Sequence, residues 1–554
     1  MQISRRDLLR SSAVIGGVAA LGGLGIADAA VAGTRATRRQ SVPVLGHTTR
    51  VSTLGRGPAG AGGYRPVVAR PGEKTSVVRS ELGAKPQRGR AARRTALVAF
   101  GQMSDVHICD SESPMRVENG ESFSSSAWRP GEILGLHVAD AMVQQLNEIS
   151  TGPITERDLD FVVQTGDNAD NAQYNEIRWN IDVLDGGMVR QDSGDPARTE
   201  NVMDSSDVNK YVVTYWHPEG PAAAQSVDNY QSQYGFQPIP GLLEASRRSF
   251  QATGLKVPWY SALGNHDQLV QGNETPDAGS QAKAVGNKKS FNVSRPPQTV
   301  AADPDRRQLT TAEIVEQHFA VVETSPGPVG HGFTEQNLAE GTGYYTFDHG
   351  DLLRFVVMDT VNHNGDDKGC LDPIQFAWIK DVLATSKGRL LVFASHHPSW
   401  TMTSDVAGEA SPGERIQGRA LVSLLLEHKN VIAWVNGHTH SNRLVPHPRY
   451  KKVRGGKKVV GGFWEINTAS HIDWPQQARL IEVADNRDGT LSIFTTMVDH
   501  GAPTAYENLE EPLQLAALGR ELALNDPQER GKNRGGALAD RNTELLLKAP
   551  GFLG

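Results

Sequence analysis

Val431-Ile432-Ala433-Trp434-Val435-Asn436-Gly437-His438-Thr439-His440 carries the pattern on which the architecture of the chain is built. An unbroken apolar run, shorter than a usual helix and closed by a glycine, reads as a strand buried on both faces, with the histidines placed where the strand ends. The pattern recurs along the chain. Apolar residues 96–100 lead to Asp105-Val106-His107, 159–163 to Gly166-Asp167, 257–263 to Gly264-Asn265-His266-Asp267, and 390–394 to His396-His397-Pro398. Between some of these runs lie helical spacings, such as Phe376, Ile379 and Leu383, or residues 421–426. Strands alternating with helices imply an α/β architecture, and open α/β sheets place their sites in the loops at strand ends.

The residue types in those loops point to metal chemistry. Imidazole, carboxylate and amide donors drawn from several loops suit Fe, Mn or Zn, and two such ions held together assist hydrolysis of phosphate esters. Two cysteines, Cys109 and Cys370, are too few for a thiolate site, so any metal is held through nitrogen and oxygen. Whether the two form a disulfide is open at this level. The formal net charge of −7 argues against general nucleic-acid binding, which needs many Lys and Arg to neutralise phosphates.

Taken in order, Asp-x-His, Gly-Asp, Gly-Asn-His-Asp, His-x-Pro and Gly-His-x-His resemble the motif set of the calcineurin-like metallophosphoesterase superfamily over about residues 95–500. Each motif alone is weak, because short motifs recur by chance; the ordered set is specific. The resemblance implies a four-layer αββα sandwich with two mixed β-sheets and a pair of divalent or trivalent metal ions at one edge. It further implies that Asp105, His107 and His440 hold one metal, that Asn265, His396 and His438 hold the other, and that Asp167 bridges them. A metal-bound hydroxide would attack phosphorus, His266 would assist the leaving group, and Asp267 would orient His266. Asp170 stands where purple acid phosphatases carry a tyrosine ligand, which speaks against an iron-tyrosinate centre; it and His397 are read as supporting the ligands. Arg306 and Arg307 are weaker candidates for a phosphate clamp, and His363, His471 and Cys109 weaker still.

Outside the motifs the chain divides by composition. Ser4-Arg5-Arg6-Asp7-Leu8-Leu9-Arg10 and the Gly/Ala-rich apolar stretch after it resemble a twin-arginine signal over residues 1–32, which implies an exported, extracellular or envelope-associated protein of actinobacterial type, handled by the twin-arginine export machinery. Residues 33–94, rich in Arg, Gly and Pro, read as a loosely structured basic arm, and residues 501–554 as a helical extension. Insertions are expected at about 171–256 and 268–340. The aromatic residues of the first, Trp179, Tyr211, Tyr215, Trp216, Tyr230, Tyr234 and Phe236, fit either a lid or an added structural subdomain. The function expected is hydrolysis of a small phosphate mono- or diester. The competing readings are a noncatalytic metal-bound scaffold for a phosphorylated ligand or partner, and a nuclease, which export and acidic charge disfavour.

Overall fold

In the computed structural model, residues 41–553 are described, apart from 75, 123–125 and 321; the twin-arginine stretch lies outside them. Thirteen strands build two sheets. In chain order they are β1 (Val77–Arg79), β2 (Thr95–Met103), β3 (Phe161–Thr165), β4 (Trp259–Ala262), β5 (Tyr345–His349), β6 (Leu353–Val357), β7 (Leu390–Ala394), β8 (Val431–Asn436), β9 (Arg443–Val453), β10 (Gly456–Asn467), β11 (Gln477–Asp485), β12 (Thr490–Asp499) and β13 (Thr543–Lys548). The first sheet runs β1-β13-β12-β11-β2-β3-β4 and the second β5-β6-β7-β8-β10-β9, each with parallel and antiparallel pairs.

The continuous apolar runs are explained by burial on both faces. Along β6 and β7, Phe355, Val357, Leu390, Val392 and Ala394 point into a core shared with Phe100, Phe161, Val163, Leu480 and Leu545 of the other sheet. The alternate residues Val356, Leu391 and Phe393 pack outward against Ile379, Leu383, Leu421 and Leu425 of helices α3 (Pro373–Thr385) and α4 (Gly418–Glu427). On the far side, helix α1 (Gly135–Ile149) lays Leu136, Met142, Val143 and Leu146 on the first sheet, and α2 (Tyr174–Asp185) adds Ile177 and Ile181 to the same core. The order of layers is therefore αββα.

Helix α1 also buries His137, whose ring stacks on Phe250 at 4.9 Å and whose Nδ1 is buried without a partner. Burial takes its pKa down to about 3. The unfolded imidazole titrates near ~6.5. Below that pH the unfolded chain takes up a proton that the folded chain refuses, so this contribution is complete above ~6.5 and is lost as pH falls towards 3. Stability should fall by up to about 1.4 kcal/mol per pH unit across that window, and a His137→Leu chain should show a shallower decline in thermal midpoint between pH 6.5 and 4.5. Parallel declines would remove His137 as a cause.

Two expectations are corrected and one open alternative is decided. Over its described residues the basic arm is built into the fold: Ser52–Arg56 pairs with Val67–Pro71, and β1 joins the first sheet beside β13. Its arginines are used in packing, Arg90 and Arg94 pairing with Glu544 and Arg79 lying over the Trp464 ring. A three-residue strand carries too little periodicity to be seen in sequence, and its partner lies at the other end of the chain. The C-terminal extension does contain helix α5 (Pro512–Asn525), but β13 after it inserts into the sheet, so the extension is not simply helical. Finally, Tyr215, Trp216, Tyr230 and Phe236 of the first insertion are buried against Trp128, Leu134 and helix α5 residues Leu515, Leu518 and Leu522. That packing makes the insertion a structural subdomain rather than an aromatic lid.

Candidate metal centre

All five motifs meet at one edge of the sandwich, because β2, β3 and β4 are neighbours in one sheet and β7 and β8 in the other. The loops are then stitched to each other. Asp105 N–H donates to the Gly166 carbonyl at 3.0 Å, His107 N–H to Asp167 O at 2.9 Å, Gly437 N–H to His396 O at 2.9 Å, and His438 N–H to Asp105 Oδ1 at 2.9 Å. Asp105, His107, Asp167, His438 and His440 all have φ between 50° and 68°. Left-handed backbone costs a non-glycine residue about 1 kcal/mol or more, and its clustering on these five residues marks a site held against local preference. Gly437 is required for close approach: a Cβ there would overlap Ser104 Oγ and Asp105 Oδ2. At Gly264 a Cβ would overlap the Asp167 backbone and carboxylate.

The donor atoms converge in two groups around Asp167. Asp105, His107, Asp167 and His440 each offer a donor atom within 4.8 Å of the others, and all are buried. His107 Nε2 and His440 Nε2 face each other at 3.2 Å, and His440 Nε2 is 3.3 Å from Asp105 Oδ1. On the other side His438 Nδ1 lies 3.2 Å from His396 Nε2. Asp167 Oδ2 sits between the groups, 3.0 Å from His396 Nε2 and 3.6 Å from His107 Nε2.

These residues fit metal ions by their own chemistry. His107, His396 and His440 donate their Nδ1 protons to Asp170 Oδ1 at 2.9 Å, Thr165 O at 2.9 Å and Asp473 Oδ2 at 2.6 Å. Each therefore leaves Nε2 as the nitrogen that faces the cluster, the one through which the imidazole would bind a cation. Facing lone pairs repel unless something positive lies between them. Asn265 supports the same reading: its Nδ2 donates to Gly272 O at 3.1 Å, while its Oδ1 is buried with no protein partner. The electrostatics agree. For His396 the burial penalty is outweighed by Asp167 and Asp105, and its pKa rises to about 9. Burial dominates at His107 and His438, taking them down to about 4 and about 3. The carboxylates thus draw positive charge into the cluster, and metal ions would satisfy that demand.

Several roles expected from sequence are relocated. Asp267 does not orient His266; its carboxylate accepts from the backbone N–H groups of Asn168, Ala169 and Gly264 at 2.7 to 2.8 Å, tying the Asp167 loop to the Asn265 loop. Burial and the neighbouring Asp167 charge raise its pKa to about 7. The Asp170 carbonyl holds His266 instead, accepting from Nδ1 at 2.8 Å and leaving Nε2 as the working nitrogen. Asp170 itself is gripped by Arg116 at 2.6 Å. His397 is not free to ligate, since Thr360 Oγ1 and Asp367 O take its two ring nitrogens at 2.9 and 3.1 Å.

The remaining candidates are structural in their contacts. Arg306 is buried within the insertions, donating to Ser193 Oγ at 2.9 Å and Ala301 O at 2.7 Å; Arg307 lies over Tyr174 and pairs with Asp305. Neither is placed as a phosphate clamp, because Arg306 is buried among Ser193, Ala301 and Asp110 and Arg307 is held on Tyr174. His363 pairs with Asp359, and His471 Nδ1 donates to Ser104 O. Cys109 and Cys370 are buried free thiols. Sequence reading missed Asp473, Arg116 and Arg129, which sit in no motif and reach the centre only through tertiary contacts.

The family model described as calcineurin-like phosphoesterase matches residues 235–442. That span holds the motifs from Gly264 to His440, and the fold adds Asp105, His107 and Asp167 from outside it. No curated protein sequence matches the chain. Similar solved structures include a dimetal phosphatase from Danio rerio (11% identity, TM-score 0.33, 73% of this chain and 100% of that one). Others are a purple acid phosphatase from yellow lupin, Lupinus luteus (14%, 0.30, 73% and 52%), and a calcineurin-like phosphoesterase from Bacillus subtilis (12%, 0.26, 77% and 98%).

Proposed function

We propose that this chain is a metal-dependent phosphoesterase of the calcineurin-like type, which hydrolyses small phosphate mono- or diesters at a two-metal centre. The observation that carries the reading is the pair of donor groups flanking Asp167 Oδ2, three of whose imidazoles have their tautomers fixed to turn Nε2 inward. Asp105, His107 and His440 would hold one metal, Asn265, His396 and His438 the other, and Asp167 both. Fe, Mn or Zn fits these nitrogen and oxygen donors. Bound there, the pair would supply a hydroxide near neutral pH and charge to meet the phosphoryl oxygens.

The protein's own contribution is orientation and proton handling. His266 Nδ1–H donates to the Asp170 carbonyl, and the ring packs edge-on to His107 at 4.6 Å between centroids. Its Nε2, once protonated, would deliver that proton to the departing oxygen. His266 N–H also donates to Asp167 Oδ1 at 2.9 Å, which ties the backbone of the proton donor to that carboxylate. The filled ligand set and the placed His266 favour an enzyme over the noncatalytic scaffold. Export by the twin-arginine route, from the N-terminal Arg5-Arg6 pair, remains part of this reading, with the folded, metal-loaded protein as the cargo.

Hydrolysis of p-nitrophenyl phosphate or bis(p-nitrophenyl) phosphate tests the proposal. Turnover should disappear after dialysis against a chelator and return with Mn, Fe or Zn. Fully metallated protein that leaves a broad panel of mono- and diesters intact would support the scaffold instead.

A further inference from the structure

We infer that Arg534, on the segment that follows helix α5, is a positioning residue of the metal centre, setting His440 through Asp473 and Thr439. The inference rests on the two-metal reading and assigns the C-terminal segment a part in it. His440 Nδ1–H donates to Asp473 Oδ2 at 2.6 Å, so the site of Asp473 decides the direction of the His440 ring. Asp473 is buried and held from two sides: Arg129 Nε donates to Oδ1 at 2.7 Å, and Arg534 Nη2 lies 3.2 Å from Oδ2. The other arm of the same guanidinium, Nη1, donates to the carbonyl of Thr439 at 3.1 Å. Thr439 is the residue between His438 and His440.

One side chain thus fixes both the imidazole and the backbone of the Gly437–His440 loop. That loop is where support is needed, since His438 and His440 both carry left-handed φ values, 68° and 53°. Arg534 is in turn aimed by Glu529, which pairs with it through both carboxylate oxygens, and its backbone carbonyl accepts from Asn442 N–H at 2.7 Å. A planar fork with several donors can serve Asp473, Thr439 and Glu529 together; an ammonium cannot match that geometry. The guanidinium also offsets the charge of a buried carboxylate that would otherwise be costly to keep ionised. An ionised Asp473 makes His440 Nε2 a stronger metal donor.

The arrangement is lopsided. His440 belongs to the group with Asp105 and His107, whereas His396, in the other group, is backed by the neutral carbonyl of Thr165. Loss of Arg534 should therefore weaken the metal held by His440 more than the one held by His438, which Arg534 reaches only through the Thr439 carbonyl. Titration of the metal-free full chain with Mn, followed by elemental analysis and by the visible spectrum of the Co-substituted protein, reads this directly. In Arg534→Met one of the two metals should bind about 10- to 100-fold more weakly, the size typical for partners that orient ligands, and the Co spectrum of that site should change. Arg534→Lys should recover part of the affinity and Asp473→Asn should fall between parent and Arg534→Met, which gives a second variant if Arg534→Met does not fold. Two metals bound by Arg534→Met as tightly as by the parent would overturn the inference. A parent chain that binds fewer than two metals, or an Asp167→Ala chain that binds them undiminished, would instead bring down the two-metal reading itself.

Discussion

Asp167→Ala should lose both metals and at least about a thousandfold in kcat/KM for any phosphate ester the protein hydrolyses. Among the described residues, Asp167 is the side chain whose carboxylate oxygen lies between the two donor groups, at 3.0 Å from His396 Nε2 and 3.6 Å from His107 Nε2. Removing it would take away the anion that both ions would share, and it also removes the acceptor for His266 N–H. The remaining donors would then hold like-charged cations close together without the charge that offsets them. Asp167→Asn separates the causes: it keeps an oxygen in place but not the charge, and metal affinity should still fall at both sites. Loss of only one metal in Asp167→Ala would mean that Asp167 serves one site alone.

His266→Ala should behave differently, keeping both metals while kcat drops by about 10²- to 10⁴-fold, the usual range for a positioned general acid. The ring packs edge-on against one metal donor, His107, and its Nδ1 is occupied by the Asp170 carbonyl. The size of the effect should depend on the leaving group. An alkoxide needs a proton as the bond breaks, so an alkyl ester should suffer the larger loss, whereas p-nitrophenolate leaves well without one. A uniform loss across leaving groups, or metal loss equal to that of Asp167→Ala, would contradict the role given to His266.

The divide between what was legible in sequence and what was not follows the range of the interactions. Strands such as residues 431–435 announce themselves by unbroken apolar runs, and the side chains that point into the centre follow them within a few residues. The residues that hold those side chains in place carry no such signature. Asp473 lies 33 positions from His440, and Arg116 lies 54 from Asp170. Asp267 shows the opposite error: adjacency to His266 suggested a side-chain pair, but at a helix start the stronger claim on a carboxylate comes from free backbone N–H groups. Arg306 and Arg307 stand beside each other in sequence yet are drawn to separate neighbours, one buried by Ser193 and one over Tyr174. The basic arm was misread because its short strand finds its partner, β13, near the far end of the chain.

The most direct test is anomalous scattering from a crystal of the full chain grown with Mn. Two peaks, about 3.5–4 Å apart and on either side of Asp167 Oδ2, are expected, one against Asp105, His107 and His440 and the other against Asn265, His396 and His438. A single peak, or peaks away from Asp167, would contradict a shared two-metal centre.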